Sequence, residues 1–333
     1  MKALVTGGAG FMGSHVVDCL VNSGHDVYVL DDLSGGFSSN VNPKVTFSVN
    51  SITDPNFHLE DVFDYYKFDC VYHLAAYAAE GLSHFIRMFN YKNNLLGSMR
   101  LINAAVNYGV KCFVFTSSIA VYGSVQTPMN EETTPQPEDP YGISKLAVEL
   151  DLKAAHEMFG LDYVIFRPHN VYGERQNLGD PYRNVIGIFM NKIMKGEPLP
   201  VFGDGTQTRA FTHISDVAPA IADAPSVVEA RNQIFNIGSD TPYKVYKLAH
   251  MVYEAMGATT THINFLPARN EVAHAFSNHK KFQRVFGKRH TLSLPEGLRR
   301  MANWAKELGP RAGKRFENIE IEKNLPESWR KRD

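Results

Sequence analysis

The sequence of 333 residues has few cysteines, no long apolar run and no excess of charge of either sign. Its three cysteines, Cys19, Cys70 and Cys112, are far apart in apolar runs, which indicates buried, reduced thiols. No apolar stretch approaches the roughly 20 residues needed to cross a bilayer, and no charged-then-apolar leader precedes the first strand. Lys and Arg total 34 against 35 Asp and Glu, which gives no reason to expect binding to nucleic acid or to a membrane surface. We therefore expect a cytoplasmic protein.

Short apolar runs alternate with helix-length periodic segments. Strand-length runs are KALVTG, DVYVLDD, VTFSVN, CVYHLAA, CFVFTSS, YVIFRP and QIFNIG, and candidate helices lie at about 13–23, 57–66, 81–108 and 142–159. Uninterrupted apolar strands separated by helices are typical of a parallel sheet that is buried on both faces. The sequence thus predicts an α/β fold with a Rossmann-type, doubly wound parallel sheet.

The pattern changes after about residue 175. A polar stretch, ERQNLGDPYRN, precedes a helix at about 184–195, and the turn-rich GEPLPVFGDGTQTR leads into shorter mixed elements. We expect residues 1–175 to form the sheet domain, to which segments at about 210–240 return. Residues 176–310 should form mainly a smaller mixed α/β domain for substrate binding, and residues 311–333 a charged C-terminal tail at the periphery.

A glycine-rich turn follows the first strand. TGGAGFMG leads straight into a periodic helix and places Gly7, Gly10 and Gly13 in a GxxGxxG spacing. Glycines let the backbone approach a diphosphate, whose charge is met by the free N–H groups of the helix start. The second strand ends in Asp31 and Asp32, where a carboxylate can bind an adenosine ribose and would repel a 2′-phosphate, so NAD is favoured over NADP. The alternative is a structural turn with a solvated acidic strand end.

The stretch YGISK places Tyr141 and Lys145 four residues apart at the start of a helix, on one face. An ammonium group near a phenol lowers the phenol pKa from its usual value near 10, and Tyr141 could then act as a base. The strand CFVFTSS delivers Ser117 and Ser118 to the sheet edge where ligands bind, and a serine hydroxyl there can hold a substrate oxygen. Alone, the spacing could equally mark an ordinary amphipathic helix start.

Taken together, TGGAGFMG, HLAA, TSSIAVYG, YGISK, RPHNVYG and FGDGTQTR resemble, in this order across nearly the whole chain, the extended short-chain dehydrogenase/reductase family. The likeness is to its nucleotide-sugar epimerase/dehydratase branch, and within it to UDP-glucose/UDP-galactose 4-epimerases and UDP-glucuronate 4-epimerases. The resemblance implies tightly held NAD, a nucleoside-diphosphate sugar as substrate, and a catalytic set of Ser118, Tyr141 and Lys145.

The resemblance also assigns binding residues. The cofactor-binding set comprises Gly7, Gly10, Phe11, Met12, Gly13, Asp31, Asp32, Ser51, Ile52, Leu74, Ala75, Ala76, Asn93, Ser117, Tyr141, Lys145 and Pro168. The substrate-binding set comprises Ser118, Asn170, Asn184, Val185, Val201, Phe202, Arg209 and Arg269, in which the two arginines would bind the diphosphate. No metal ion is expected.

The chain departs from the family pattern at several positions. Ala210 stands where an aspartate usually follows the first arginine, and Ser51 replaces the usual aspartate on the adenine side. The loop YAAEGLSHF, residues 77–85, is unlike the common epimerase version, and Ala78 occupies the position where some galactose epimerases have a lysine. This loop lies near the crevice and is a candidate for selecting the sugar.

The residues after Ser118 bear on the type of reaction. Related 4,6-dehydratases have an Asp-Glu pair there, and a related decarboxylase usually has a glutamate nearby, whereas this chain has IAV, which cannot transfer protons. The pattern therefore favours epimerisation at C4 through a transient 4-keto sugar. Dehydratase or decarboxylase chemistry remains an alternative, because Glu80 or His84 could supply the missing acid or base. A non-catalytic NAD-binding scaffold is a third possibility.

The identity of the sugar and of the nucleotide base stays open. Arg175 and Arg183 lie in a loop at the crevice, where either could meet a carboxylate at C6 or serve only on the surface. Many relatives dimerise through two helices per subunit, and segments 88–108 and 144–159 carry apolar residues that suit such a homodimer: Leu95, Met99, Leu146 and Leu150.

Overall fold

A computed structural model describes residues 1–268, 272–287 and 291–330. Its strands, in chain order, are β1 (Lys2–Thr6), β2 (Asp26–Asp31), β3 (Thr46–Val49), β4 (Cys70–His73), β5 (Cys112–Thr116), β6 (Asp162–Pro168), β7 (Val171–Tyr172), β8 (Leu199–Phe202), β9 (Thr208–Ala210), β10 (Thr212–His213), β11 (Gln233–Ile237), β12 (Pro242–Lys244), β13 (Ile263–Leu266) and β14 (His274–Ala275).

The helices are α1 (Phe11–Asn22), α2 (Leu59–Tyr66), α3 (Glu80–Ser83), α4 (Arg87–Tyr91), α5 (Gly97–Asn107), α6 (Pro140–Phe159), α7 (Val185–Met194), α8 (Ile214–Asp223), α9 (Val245–Met256), α10 (Lys280–Phe286) and α11 (Leu294–Leu308). A π-helical segment, Lys92–Leu96, joins α4 to α5. None of the helices described in these ranges has both the length and the apolar character needed to span a membrane.

The main sheet has seven parallel strands in the order β11-β6-β5-β4-β1-β2-β3. One hydrophobic cluster fills each face: α1 and α8 pack on one side, and α2, α5 and α6 on the other. The predicted doubly wound α/β fold is confirmed. The strand order reverses between β1 and β4, so a crevice for ligands opens at the carboxyl ends of these two strands.

A third hydrophobic cluster lies outside this sheet. It is formed largely by α7, α9 and α11, with Leu199 and Val201 of β8 also buried in it. Three small sheets lie in this part of the chain, with orders β10-β7, β12-β9-β14 and β13-β8. Between them the chain returns to the main sheet, where α8 packs on α1 and β11 pairs with β6.

The helix predicted over 81–108 is interrupted. The chain forms α3, leaves the helix at residues 84–86, and resumes it as α4, the π-helical segment and α5. Within this region the Asn93 amide donates to the Phe89 carbonyl (2.8 Å), and the Ser98 hydroxyl to the Asn94 carbonyl (2.8 Å). Side chains thus satisfy carbonyl groups at the irregular turn, and π-helical turns are frequent at functional sites.

Residues 311–330, which we call the C-terminal strap, lie against the loop between β4 and α4. Leu325 and Trp329 are buried in a cluster of apolar and aromatic side chains that includes Leu82 and Ile86. The Glu320 carboxylate accepts hydrogen bonds from the N–H groups of Met88 and Phe89, both at 2.8 Å. The strap therefore caps the start of α4 and covers the loop that precedes it.

Candidate active site

The glycine-rich turn is tightly packed at the end of β1. Gly7 has φ +74°, and a β-carbon on it would lie 2.6 Å from the Ala75 nitrogen. A β-carbon on Gly13 would lie 2.0 Å from the Gly7 carbonyl oxygen. Helix α1 begins directly after Gly10, and no side chain caps its first N–H groups, which belong to the turn of Phe11, Met12 and Gly13. The turn thus presents free N–H donors at a helix start, the arrangement that binds a diphosphate.

Asp31 supports this turn from the end of β2. One carboxylate oxygen accepts from the Ala9 N–H (3.0 Å) and the other from the Leu33 N–H (2.8 Å). Burial raises the pKa of Asp31, although these backbone hydrogen bonds oppose the shift. Asp32 is exposed, and its carboxylate accepts from the Ser34 N–H (2.9 Å). The structure therefore assigns the two carboxylates different positions: Asp31 orders the turn and Asp32 faces outward.

The remaining residues of the predicted cofactor set lie at the same edge of the sheet. Leu74, Ala75 and Ala76 follow β4, and the Leu74 N–H donates to the Thr6 carbonyl of β1 (3.1 Å). Pro168 ends β6 and is buried. Some side chains point elsewhere: Ile52 is buried against Gly97 of α5, and Asn93 bonds within its own helix. The Ser51 hydroxyl lies 3.1 Å from that of Thr53.

Tyr141, Lys145 and Ser118 converge at the ends of β5 and α6. Asp139 caps α6 by accepting from the Gly142 N–H (3.0 Å), with Pro140 in the first turn, so the sequence begins the helix just before the tyrosine. The Lys145 ammonium donates to the Thr116 carbonyl (2.7 Å) and lies 5.8 Å from the Tyr141 ring centre. Ser118 accepts from the Ala120 N–H (3.1 Å), and its hydroxyl is close enough to the Tyr141 phenol to lower the pKa of that group.

Burial dominates the acid-base properties of this pair. It raises the pKa of Tyr141 above the usual value, so the expectation that the nearby ammonium lowers this pKa is wrong for the structure as it stands. The hydrogen bond from Ser118 and the positive charge of Arg183 oppose the rise without cancelling it. Burial lowers the pKa of Lys145 to about 7, and the negative charge of Glu149 opposes that shift. Burial thus favours the neutral form of both groups, and the ammonium readily gives up its proton near neutral pH.

A buried ion pair lies beneath the catalytic face of α6. Arg167 of β6 donates to both oxygens of Glu149, through Nε (2.9 Å) and Nη2 (2.5 Å), and the Ser117 hydroxyl donates to Oε1 (2.5 Å). Arg167 also donates to the Tyr122 hydroxyl (2.8 Å), which donates to Asn236 of β11 (2.8 Å). The Ser117 side chain is thus directed toward Glu149, and this network joins α6 to β6, to β11 and to the segment that follows β5.

The loop after β4 fixes the backbone on the other side of Tyr141. The Ser83 hydroxyl accepts from the Tyr141 N–H (3.2 Å), and the Asn90 amide donates to the Pro140 carbonyl (2.8 Å). Asn94 of the π-helical segment accepts from the Tyr77 N–H (2.8 Å) and donates to the Tyr77 carbonyl (3.1 Å). The unusual loop and the start of α6 therefore form one hydrogen-bonded unit.

Most of the residues predicted to bind the substrate lie around the third hydrophobic cluster, that of α7, α9 and α11. Val185 begins α7 and packs against the cluster in which Val201 is buried, with Phe202 next to it on β8 and Asn184 exposed just before α7. The Arg209 guanidinium donates to the carbonyls of Thr208 (2.9 Å) and Ala273 (3.1 Å).

Two further residues of that set need separate mention. Asn170 is exposed at φ +41°, and its amide donates to the Ala210 carbonyl (3.1 Å). Arg269 lies outside the described residues.

The free N–H groups of the glycine turn and the close contact of Gly7 with Ala75 fit a bound dinucleotide. Residues 3–238 match the model of the NAD-dependent epimerase/dehydratase family. This chain belongs to that family. The predictions of the family and of NAD as cofactor are confirmed, and the chain is an enzyme of this family.

Solved structures of family members are similar along their whole length. A UDP-glucose 4-epimerase of Thermotoga maritima, solved with UDP-glucose, is 35% identical with a TM-score of 0.86 and covers 92% of this chain and 99% of its own. A UDP-glucose 4-epimerase of Thermus thermophilus, solved with NAD, is 32% identical with a TM-score of 0.85 and covers 91% and 98%. By sequence, a dTDP-glucose 4,6-dehydratase of Actinoplanes is 30% identical, and the match covers 91% of this chain and 97% of that protein.

Sequence reasoning missed several residues that shape the site. Ser83, Asn90 and Asn94 hold the backbone near Tyr141, and Glu149 lies beneath Lys145. For Glu149 a signal was present, because it follows Tyr141 and Lys145 at four-residue steps on the same helix face. For the loop residues no local pattern reveals the contact. Among the described residues, no group of three or more His, Cys, Asp or Glu side chains could hold a metal ion.

Proposed function

We propose that this enzyme inverts C4 of a nucleoside-diphosphate hexose, of the UDP-glucose/UDP-galactose type, through a transient 4-keto sugar. The observation that supports this most is that Tyr141 and Ser118 lie side by side and that an apolar turn directly follows Ser118. The Thermotoga and Thermus relatives, both UDP-glucose 4-epimerases, support the choice of substrate.

In the proposed mechanism, Tyr141 as phenolate takes the proton from O4 of the sugar, and Ser118 holds that oxygen by a hydrogen bond. Lys145, while protonated, adds a positive charge that stabilises the phenolate. NAD held by the glycine turn of Gly7, Gly10 and Gly13 would supply reversible hydride transfer with C4 of the sugar. If the keto sugar turns over in the site, the hydride would return to the opposite face of C4 and Tyr141 would return the proton to O4, so the configuration at C4 is inverted with no net oxidation.

The turn after Ser118 supports epimerisation over elimination. Residues 119–122 form a single 3₁₀ turn in which Val121 and Tyr122 are buried. The Tyr122 hydroxyl is bonded to Arg167 and Asn236 and cannot serve the sugar. Dehydration requires proton transfer at C5 and C6, and the residues of this turn have no group available for it.

One observation favours a second candidate, dehydration or decarboxylation. Glu80, at the start of α3, lies close enough to Tyr141 for its negative charge to raise the pKa of the tyrosine. A carboxylate this near to Tyr141 could act as an acid or base at C5 or C6 of the sugar. The Actinoplanes dehydratase among the relatives supports keeping this candidate.

The reaction is tested by incubating the purified enzyme with UDP-glucose, UDP-galactose, UDP-N-acetylglucosamine, UDP-glucuronate and dTDP-glucose and identifying products by NMR. We expect C4 epimers, with the highest rate for UDP-glucose or UDP-galactose. A dehydrated or decarboxylated product that disappears in a Glu80→Gln variant would replace the proposal with the second candidate.

A Tyr141→Phe variant tests the role of the tyrosine. It should retain bound NAD and lose nearly all turnover, because the phenyl ring keeps the packing and loses the acidic group. Tyr65→Phe, at an exposed position, is the matched control and should behave as the unaltered enzyme. Substantial turnover by Tyr141→Phe would remove Tyr141 as the essential base.

The organisation of the enzyme in the cell follows the same proposal. We propose that residues 1–175, with 210–240, bind NAD and that residues 176–310 mainly bind the nucleotide sugar. A cytoplasmic homodimer is expected. Of the apolar residues expected at its interface, Leu150 is exposed, whereas Leu95, Met99 and Leu146 pack against the hydrophobic clusters of the chain itself. Exposed Leu96 and Met158 lie in the same two segments, 88–108 and 144–159, and support an interface there. Light scattering that shows a monomer would contradict the dimer.

A further inference from the structure

Arg183 reaches across the crevice from the loop before α7. Its guanidinium lies over the ring of Tyr77, 4.7 Å from the ring centre. On its other side, a β-carbon placed on Gly35 would lie 3.4 Å from Nη2 and 3.9 Å from Nη1. The side chain is 16% exposed, so it is largely enclosed by these neighbours. Arg183 therefore contacts the segments that follow both β4 and β2.

These two segments are the walls of the groove above the glycine turn. Gly36, next to Gly35, is so close to the turn that a β-carbon on it would lie 2.5 Å from the Ala9 carbonyl oxygen. Tyr77 follows Ala75, whose backbone touches Gly7. β1, which leads into the turn, lies between β2 and β4 in the sheet. A group that spans Gly35 and Tyr77 hence passes over the glycine turn.

Asp180 holds Arg183 in this orientation. Its carboxylate accepts from Arg183 Nε (2.7 Å) and Nη2 (2.5 Å), and also from the N–H groups of Tyr182 and Arg183. Asp180 bonds to the edge of the guanidinium formed by Nε and Nη2, so Nη1 lies outside this ion pair, and both Nη atoms lie near Gly35. An arginine fixed along one edge presents its other edge to a ligand with little loss of side-chain entropy.

The C-terminal strap fixes the loop that carries this pair. The Tyr182 hydroxyl accepts from the Phe316 N–H (3.0 Å), and the Tyr182 ring packs edge-on against Trp329 at 5.3 Å between centres. Phe316 also packs against Tyr77, at 5.5 Å between centres. The strap thus connects the loop of Arg183 to the loop of Tyr77 on the far side of the groove.

We propose that Arg183 binds the diphosphate of NAD from above while the N–H groups of the glycine turn bind it from below. A diphosphate carries two negative charges, and a guanidinium edge matches the spacing of phosphate oxygens. Ala78, in the loop after β4, leaves that loop without the lysine that some galactose epimerases have there. Arg183 provides a cation over this groove from a different part of the chain.

This assignment rests on the NAD cofactor of the family and does not depend on which sugar is converted. Two other anions share its chemistry: the diphosphate of the substrate and a carboxylate at C6 of the sugar. The contact with Gly35, which follows the adenosine-side strand β2, favours the cofactor. Binding measurements distinguish these three possible ligands of Arg183.

The test measures binding of NAD, ADP-ribose and UDP to the apo forms of the unaltered enzyme, Arg183→Gln and Arg183→Lys, by calorimetry. Arg175→Gln is the matched control, because Arg175 lies in the same loop region and pairs with Asp18 at 2.7 Å, away from the groove. Charge-assisted hydrogen bonds of typical strength correspond to a roughly tenfold to hundredfold change in affinity.

We expect Arg183→Gln to weaken NAD and ADP-ribose binding by about tenfold or more and to leave UDP binding unchanged. Arg183→Lys should recover part of the loss and Arg175→Gln should show none. Thermal unfolding of each apo form identifies a variant that has lost its fold. If Arg183→Gln does not fold, the NAD affinity of Arg183→Lys is compared with that of the unaltered enzyme instead. Unchanged NAD affinity in Arg183→Gln, or a loss confined to UDP, would overturn the assignment. If Arg183→Gln is inactive but binds NAD normally, Arg183 does not belong to the cofactor site, and the loss of activity concerns the proposed reaction instead.

Discussion

Replacing Glu149 by glutamine should destabilise the enzyme strongly, because it leaves Arg167 as an unpaired buried charge. The two side chains are 1% and 3% exposed, so solvent hardly screens the pair. Removing one partner of a buried ion pair costs about 3–5 kcal/mol. Glutamine keeps an oxygen that can accept from Arg167 or Ser117, so we expect a cost near the lower end, about 3 kcal/mol, against a total stability of about 5–15 kcal/mol.

The same substitution should change the pH dependence of turnover. Burial already lowers the pKa of Lys145 to about 7, and Glu149 is the charge that holds it up. Without the carboxylate the pKa of Lys145 falls further, so the ammonium loses its proton at a lower pH. Because protonated Lys145 stabilises the Tyr141 phenolate in the proposed mechanism, activity at alkaline pH should be lost earlier, and the alkaline limb of the kcat/KM profile should move to lower pH.

A double variant, Glu149→Gln with Arg167→Met, separates the two effects. It removes the unpaired charge and should recover much of the stability, whereas the alkaline limb should stay displaced because the carboxylate is still absent. Urea unfolding of the apo forms measures the first effect and epimerase assays across pH the second. A single variant that loses less than about 1 kcal/mol, or a double variant that restores the pH profile, would refute the reasoning.

Three further changes should give measurable results. Gly13→Ala should abolish retention of NAD through purification, since its β-carbon would lie 2.0 Å from the Gly7 oxygen; stoichiometric NAD in the purified variant would contradict this. Burial lowers the pKa values of His73 and His169 to about 3, below the ordinary 6.5, so the unfolded state binds protons that the folded state refuses, and stability should fall as pH drops from 6.5 toward 3. Urea midpoints should then show a shallower fall for His73→Gln, by up to about 1.4 kcal/mol per pH unit, and an unchanged slope would count against it. Trp329→Ala should loosen the C-terminal strap, seen as faster limited proteolysis, and should weaken NAD binding less than Arg183→Gln does; an unaltered digestion rate would show that the strap does not depend on this anchor.

Much of the catalytic centre could be predicted because it depends on residues close together in sequence. The four-residue spacing of Tyr141 and Lys145 fixes their common face once α6 forms, and Asp139 and Pro140 mark where it starts. The glycine turn is likewise local, and a parallel sheet brings its strand ends to one edge wherever the strands fall in sequence. Short-range periodicity and this topological rule together account for the confirmed fold.

The helix predicted over 81–108 shows where this reasoning stops. Its apolar spacing continues through residues 84–96, but the chain breaks at 84–86 and widens into a π-helical segment. Asn90 and Asn94 use that irregular geometry to bond Pro140 and Tyr77. Such contacts join residues up to 50 positions apart, and no periodic pattern within the helix encodes them. The contacts of the C-terminal strap are also long-range. Its charged composition predicts an exposed tail, although a few aromatic residues anchor it to the chain.

The acid-base behaviour of Tyr141 shows why the Tyr-Lys spacing alone is weak evidence for catalysis. Burial raises the pKa of the tyrosine, and the groups that lower it are the Ser118 hydroxyl and the Arg183 guanidinium. Those groups arrive from the end of β5 and from the loop before α7, and Arg183 is held there by Asp180. Even with these partners the pKa of Tyr141 stays above its usual value, since desolvation disfavours the phenolate, and a helix with the same spacing but without them would have a tyrosine of still higher pKa. The acid strength of Tyr141 is therefore a property of the assembled crevice, and the loop that carries Arg183 contributes to it.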